Sequence, residues 1–477
     1  MTNDCLNKRF KNRNQRHIIE RIIVKGVLIL DTPTCFGSGD NDGDTDLEIL
    51  RDSIEDKALL MGSSIAGALR NYLREQKNGY GAVDDSILFG GQRSDDDGEQ
   101  SSLIVNDALS SDVINLELRD GVKINSITKT ADDGAKYDLE FLEAGTKFSL
   151  YFELLIDGKE SNRERLIREL VLSLQGLESG KIRLGIKKNR GFGRCHVEKW
   201  QVWKFNLREY KQRIQWLTFP HWESGLLDNY QTCDNIANAL GVTLAEEDKR
   251  QHLTITAEFT LASHLLIRSG QASTDKAPDV VHLKSQRDGE AKPILSGTSL
   301  TGVLRHRAER IVNTIQKDIN IINDIFGFVD EKTKKAKASR LVVDEVEINK
   351  TTDLVQNRIA IDRFTGGALH GALFNEQPIF GNDETNLEIN LKLRQPKDAE
   401  IGLLLLLLKD LWTGDLTVGG TSSIGRGRLQ GREATITNNG KTWKISQSSS
   451  TEPLIVENPE NEDLEKFVTA LCQEVTS

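Results

Sequence analysis

The chain is poor in the residues that build staples and metal cages. Its five cysteines (Cys5, Cys35, Cys195, Cys233 and Cys472) are scattered, with no CxxC pair and no metal-ligand spacing against the eight histidines. That pattern excludes a zinc ribbon and a disulfide framework, and it fits a reducing cytoplasm. Long apolar runs are lacking too. The most apolar stretch, LLLLLLKDLW from Leu403, falls well short of the roughly 20 residues a membrane span needs. The N-terminus, MTNDCLNKRFKNRNQRH, is polar and basic, unlike a secretory signal. A soluble cytoplasmic protein with no membrane role is expected.

Positive charge is in deficit overall, with a net charge of −10, which argues against a protein that binds nucleic acid by bulk electrostatics. Its distribution is uneven. From Lys181 to Arg194 there are six basic residues and no acidic one, and Lys8, Arg9, Lys11, Arg13 and Arg16 make a basic N-terminal arm. Acidic residues gather in GDNDGDTDLE (39–48) and SDDDGE (94–99), both of which read as loops. No Ser-His-Asp order or histidine pair recurs, so a nucleophilic hydrolase is a poor fit.

What the chain does contain is itself, twice. LMGSSIAGALRNYLRE (60–75) is matched by LSGTSLTGVLRHRAER (295–310), so that Ser64 answers to Ser299 and Arg70 to Arg305 at an offset of 235. The tract LGIKKNRGFGRC (184–195) answers to VGGTSSIGRGRL (418–429) at an offset of 234. LFG at 88–90 answers to IFG at 325–327, and SSLIVNDA (101–108) to SRLVVDEV (339–346), with Ser102 aligned to Ser339. Four matches in one order with nearly constant offsets mark an internal duplication. The expected division is 1–200 for a first domain with its basic arm, 201–250 for an ordered connector, 251–434 for a second domain and 435–477 for a polar tail.

Each copy opens on a β-branched apolar strand (17–31; 252–269) and passes through a polar loop to a helix that Ser64 or Ser299 is suited to cap. Short strands follow, then a second helix (162–179; 400–412), then the glycine tract. That order predicts an α+β class, a ferredoxin-like sandwich with both helices on one sheet face and the other face open to a ligand. The glycine tracts suit either a phosphate cradle or an ordinary tight turn. Asp40, Asp42, Asp44 and Asp46 before the first capped helix read either as metal ligands or as a solvated loop, and the run lacks the closing glutamate of a calcium loop.

Together the acidic loop, the G-[ST]-S-[IL]-x-G-x-L-R helix, the [IL]FG segment, the S-x-L strand and the late glycine loop resemble the RAMP superfamily. Within it they look like backbone subunits of type III CRISPR effector complexes, in a tandem fusion of the III-D kind. The stretches 118–148 and 359–374 are similar to the family's central region, and the resemblance implies two tandem ferredoxin-like (RRM-like) RAMP domains with inserted thumb hairpins. It implies an antiviral ribonucleoprotein subunit that binds crRNA and complementary target RNA, beside other RAMP subunits and a large subunit. RNA contacts are expected from Ser63, Ser64, Arg70, Lys187, Lys188, Asn189, Arg190 and Arg194, and from Thr298, Ser299, Arg305, Arg363, Arg426 and Arg428. Asp46 and Asp279, the latter with Asp275 as a near competitor, occupy the place of the family's cleaving aspartate and are expected to cut at one or two sites, as catalytic and metal-binding residues, with a divalent cation, Mg2+. The alternatives are a non-catalytic guide-binding subunit and, third, a guide-processing endoribonuclease using His17.

Overall fold

A computed structural model describes residues 17–473, apart from 40–44, 92–99, 245–247, 270–277, 459–462 and positions 85, 126, 127, 129, 159, 331, 332 and 334. The basic arm, Asp40, Asp42, Asp44, the SDDDGE run and Asp275 lie outside the described residues. The chain forms two compact units. The first holds Met1–Glu117, Glu140–Ile186 and Gly193–Arg250; the second holds Leu118–Leu139, Lys187–Phe192 and Gln251–Ser477. Two short segments of the first sequence copy thus belong to the second unit.

In the first unit, β1 (Ile18–Leu30) has Ile22, Ile23 and Val24 fully buried, as its β-branched run demands. Helix α1 (Gly62–Asn78) buries Ile65, Leu69, Tyr72 and Leu73, a single stripe at helical spacing. β2 (Leu103–Val105), β5 (Lys147–Asp157), α2 (Glu160–Glu178) and β6 (Cys195–Asn206) complete the layers of this unit, while β3 (Leu116–Ile124) and β4 (Ala131–Leu142), between β2 and β5 in the chain, fall for the most part in the second unit. β3 and β4 form a hairpin. β5 alternates strictly, sending Phe148, Leu150, Phe152, Leu154 and Ile156 into the core. The antiparallel sheet order is β2-β5-β1-β6, the ferredoxin-like arrangement.

The second face of this sheet is not open, contrary to expectation. Ile23 and Phe205 point to it and pack with Phe219 and Leu227, flanked by Tyr151, Trp203 and Trp216. The cover is the first part of the connector, with α3 (Tyr210–Leu217), while its α4 (Ile236–Leu240) packs into the main core instead. Lys25, on the same face, is buried and donates from Nζ to the Glu223 carbonyl at 2.7 Å. Aromatic area on the strands makes closure favourable, since each large side chain removed from water contributes about 1.5–3 kcal/mol.

The second unit repeats the plan with β7 (His252–Leu261), α5 (Gly297–Thr314), α6 (Asn320–Phe326), β8 (Leu341–Val343) and a long hairpin of β9 (Gln356–Ile361) and β10 (Ala368–Gln377). After it come β11 (Leu387–Arg394), α7 (Asp398–Trp412) and β12 (Leu429–Asn438). The tail adds β13 (Lys441–Ser446), β14 (Ile455–Glu457) and α8 (Glu465–Gln473), extending the sheet to β8-β11-β7-β12-β13-β14. The leucine run is a buried core helix, and no helix among the described residues is long and apolar enough to cross a membrane. α8 covers it so closely that a Cβ on Gly402 would lie 2.2 Å from the Phe467 carbonyl. The second face of this sheet is polar, with Thr256 Oγ1 donating to Asn390 Oδ1 at 2.8 Å and Glu258 exposed.

Candidate functional site

The repeated helix starts are not capped by the repeated serines. Helical geometry begins at Gly62 and Gly297, with Met61 and Ser296 at the N-cap and no side-chain cap bond from either. Ser63 and Ser64, and Thr298 and Ser299, therefore sit within the first turn, exposed in the first copy and half-buried in the second. The glycine itself explains the recurrence. A Cβ on Gly62 would meet the Val105 carbonyl at 2.4 Å, and one on Gly297 the Val343 carbonyl at 2.7 Å, so each helix starts hard against the S-x-L strand. Gly67 and Gly302, five residues on, have nothing within 4 Å of a would-be Cβ. Glycine inside a helix costs about 1 kcal/mol against alanine, so two such open places ask for an approaching ligand.

Arg70 and Arg305 are held by their own loops. Arg70 donates from Nη2 to the Gly90 carbonyl at 3.0 Å and pairs with Asp84. Arg305 donates from Nη1 to the Gly327 carbonyl at 2.8 Å and pairs with Glu309. The repeated arginine and the repeated FG are thus one device, in which a guanidinium clamps the glycine carbonyl. The serine match shifts by one. Ser101 Oγ donates to the Leu88 and Leu103 carbonyls (3.2 and 2.7 Å), and Ser339 Oγ to those of Ile325 and Leu341 (3.1 and 2.7 Å), so Ser339 answers to Ser101 rather than Ser102.

The two glycine tracts share one backbone. Lys187 and Thr421 are left-handed, as are Gly185, Gly191 and Gly193 and their counterparts Gly419, Gly425 and Gly427, around short 3-10 turns at Lys188–Arg190 and Ser422–Ile424. A Cβ on Gly193 or Gly427 would lie 1.9 Å from the carbonyl of Leu184 or Val418, so the loop closes only on glycine. Their surroundings differ. Within the second unit, Asn189 Nδ2 donates to the Ser339 carbonyl at 2.8 Å, and a Cβ on Gly297 would meet the Arg190 carbonyl at 2.3 Å. Lys187 Nζ donates to Tyr137 Oη at 2.8 Å, with the ring centroid 4.1 Å away. Ser422, Ser423 and Ile424 are exposed.

Arg190 is the most telling cation. It is half-buried, its Nη1 is buried without a hydrogen-bond partner, and burial together with the nearby Arg305 charge holds it below the ordinary arginine pKa. Nearby like charges and an unsatisfied donor together favour an anion. Lys188, Arg194 and Arg428 are exposed. Arg426 is not the surface cation expected. At 0% exposure it spends its charge on Glu376 (2.8 Å) and Gln356 (2.8 Å), pinning the base of the β9–β10 hairpin. Arg363 is exposed at that hairpin's turn, next to Phe364.

Asp46 and Asp279 occupy equivalent places. Each stands three residues before a strand pairing, Ile49 with Gly37 and His282 with Arg268, and each is exposed. Leu47, next to Asp46, accepts at its carbonyl from the Glu140 N–H at 3.2 Å, and Asp279 Oδ2 accepts from the Asn375 N–H at 2.8 Å. Both acids thus adjoin the second strand of a hairpin. No group of three or more His, Cys, Asp or Glu side chains that could hold a metal occurs among the described residues. His17 is exposed at the start of β1.

Residues that the sequence reading missed include Asp107, which accepts from the Gly62 N–H at 2.6 Å, and its counterpart Glu345, which takes Arg119 (3.1 Å) and Arg287 (2.5 Å). The acidic end of each S-x-L strand was the available signal. A family model described as the RAMP superfamily matches residues 27–196 and 258–430, one match on each copy and well over half of the chain. No curated protein matches it.

Proposed function

The chain belongs to the RAMP superfamily, and from that premise we propose that it is an RNA-binding backbone subunit of a type III CRISPR effector complex. The observation that carries this reading is Arg190, whose Nη1 is unpaired and whose charge lies near that of Arg305 on α5, the helix on which Gly302 leaves open space. A phosphate of the guide strand would satisfy the orphaned Nη1 and relieve the repulsion. The bare face at Gly302 admits a sugar-phosphate backbone where any side chain would stand in its way. Sequence choice then comes from base pairing, with the protein holding the strand's backbone.

The finer proposal is cleavage of the paired target beside Asp46 and Asp279. RNA supplies its own nucleophile in the 2′-OH, so a site need only hold that oxygen in line with the phosphate and place a carboxylate near its proton. Within the second unit, the exposed β9–β10 hairpin that engages Asp279 is the element that would impose such a backbone geometry. A non-catalytic role for the second site has one observation in its favour, the bond from the Asn375 N–H that engages Asp279. Guide RNA, target RNA, further RAMP subunits and a large subunit are the partners this reading names.

Binding of a single-stranded guide RNA by the full chain, measured across a salt series, tests the core of the proposal. Arg190→Ala is expected to weaken binding by about tenfold or more, the worth of a charge-assisted hydrogen bond, and to flatten the salt slope. Arg190→Lys should keep part of the affinity. Unchanged affinity and slope in Arg190→Ala would sink it.

A further inference from the structure

The connector lies between the two regions that the family model matches, and its outward surface holds aromatic rings in water. Tyr210 is 74% exposed, Trp222 96% and Tyr230 47%. The same chain buries Trp200 and Trp443 almost completely, so a tryptophan left in solvent marks a surface made for contact.

The rings come with positive charge. From Lys199 to Arg213 there are five basic residues and one acidic, in a chain whose net charge is −10. Arg208, Lys211 and Arg213 are exposed, and none of them is in an ion pair among the described residues. The one acid, Glu209, accepts from the side-chain amides of Asn206 (3.1 Å) and Gln212 (2.6 Å). The period of α3 sorts these groups. Around the helix Arg213, Leu217, Tyr210, Ile214 and Lys211 follow one another, on the face turned from Gln212 and Trp216, the two residues of α3 that are not exposed. An apolar stripe therefore has a cation on each flank, and the Arg213 guanidinium stands 6.0 Å from the Tyr210 ring centre. Beyond the helix the chain folds back, with His221 Nε2 2.8 Å from the Trp216 carbonyl oxygen, which sets Trp222 near the last turn. Tyr230 meets Trp203 edge-on at 5.2 Å on the same cover.

We propose that this surface of the connector binds single-stranded RNA without regard to sequence, as a site apart from the glycine loops and the helix starts. Each nucleotide of a single strand offers a flat base and a phosphate, the two groups that exposed rings and unpaired cations recognise. A protein partner would need acids matched to three separate cations, whereas a strand carries its charge at every step. The inference rests on the RNA reading of the chain and adds to it a surface outside residues 27–196 and 258–430.

Binding of a labelled single-stranded oligouridine to the full chain, freed of nucleic acid, tests it across a salt series. Trp222→Ala and Tyr210→Ala should each weaken binding by about fivefold or more, the worth of one stacked base. Lys211→Gln combined with Arg213→Gln should lower the salt slope by about 1.4, about 0.7 for each cation lost. All four side chains are exposed, so these variants leave the core intact. An RNA duplex of the same length has its base faces already stacked, and Trp222→Ala should bind it as the wild type does. Affinity and slope unchanged in all of these variants overturn the proposal and assign the surface to a protein partner; the RNA reading then stands by itself if Arg190→Ala still weakens binding. Loss in the connector variants with none in Arg190→Ala keeps this site and removes the other. An equal loss on single strand and duplex in Trp222→Ala would make the ring a structural support, and that too overturns the proposal.

Discussion

The two copies share strand order, helix starts, arginine clamps and glycine loops, and differ in what covers them. In the first, a second sheet face rich in aromatics is closed by the connector; in the second, that face is polar and the sheet grows sideways through the tail. In the first, Ile49 fills the place that His282 takes in the second. Duplication preserved the frame because close-approach glycines and buried stripes tolerate little change, while faces that could be covered by new segments were free to diverge.

The sharpest break between the copies would be at the acids. In the assembled complex with a labelled target, Asp46→Ala is expected to abolish one cleavage product and Asp279→Asn another, with RNA binding retained. Loss of one product only would make the copies unequal in chemistry. Full cutting in both variants would return the chain to a guide-binding role.

Next in size is Phe219→Ala, which empties the small core behind the first sheet. It should destabilise the first unit by about 3–5 kcal/mol in urea unfolding followed through Trp203 and Trp216 fluorescence. The second unit, followed through Trp412 and Trp443, should be unmoved; equal loss in both would mean that the connector is not a local cover.

The third contrast is with pH. Buried His282 accepts from the Ile267 N–H at Nδ1 (3.1 Å), its Nε2 lies 3.0 Å from the Ile294 carbonyl, and burial pulls its pKa down to about 4. Between that value and about 6.5, the unfolded chain binds a proton that the folded one refuses. Stability of the second unit should therefore fall as pH drops from about 6.5 to about 4, by up to about 3 kcal/mol. His282→Ile should flatten that profile, and a slope unchanged in the variant would assign it to other groups.

Much of the fold was legible in advance. β5 reads as a strand because Phe148 through Ile156 alternate, and α1 as a helix because Ile65, Leu69 and Leu73 share a stripe. The serine caps were misread because Ser64 has the right chemistry one turn too late; Gly62 must come first to let the helix touch Val105. Arg426 was misread because a basic residue among glycines looks exposed until Glu376, 50 positions earlier, is seen beside it.

By itself the sequence determined the duplication, the element order, the family and the residues that recur, since these rest on local periodicity and on glycine positions that no other residue can fill. Only the tertiary structure decided that Lys187–Phe192 and Leu118–Leu139 belong to the second unit, that Arg70 and Arg305 clamp carbonyls, and that Arg190 keeps an unpaired donor. The physical reason is that partners and burial are set by residues distant along the chain, which only packing brings together.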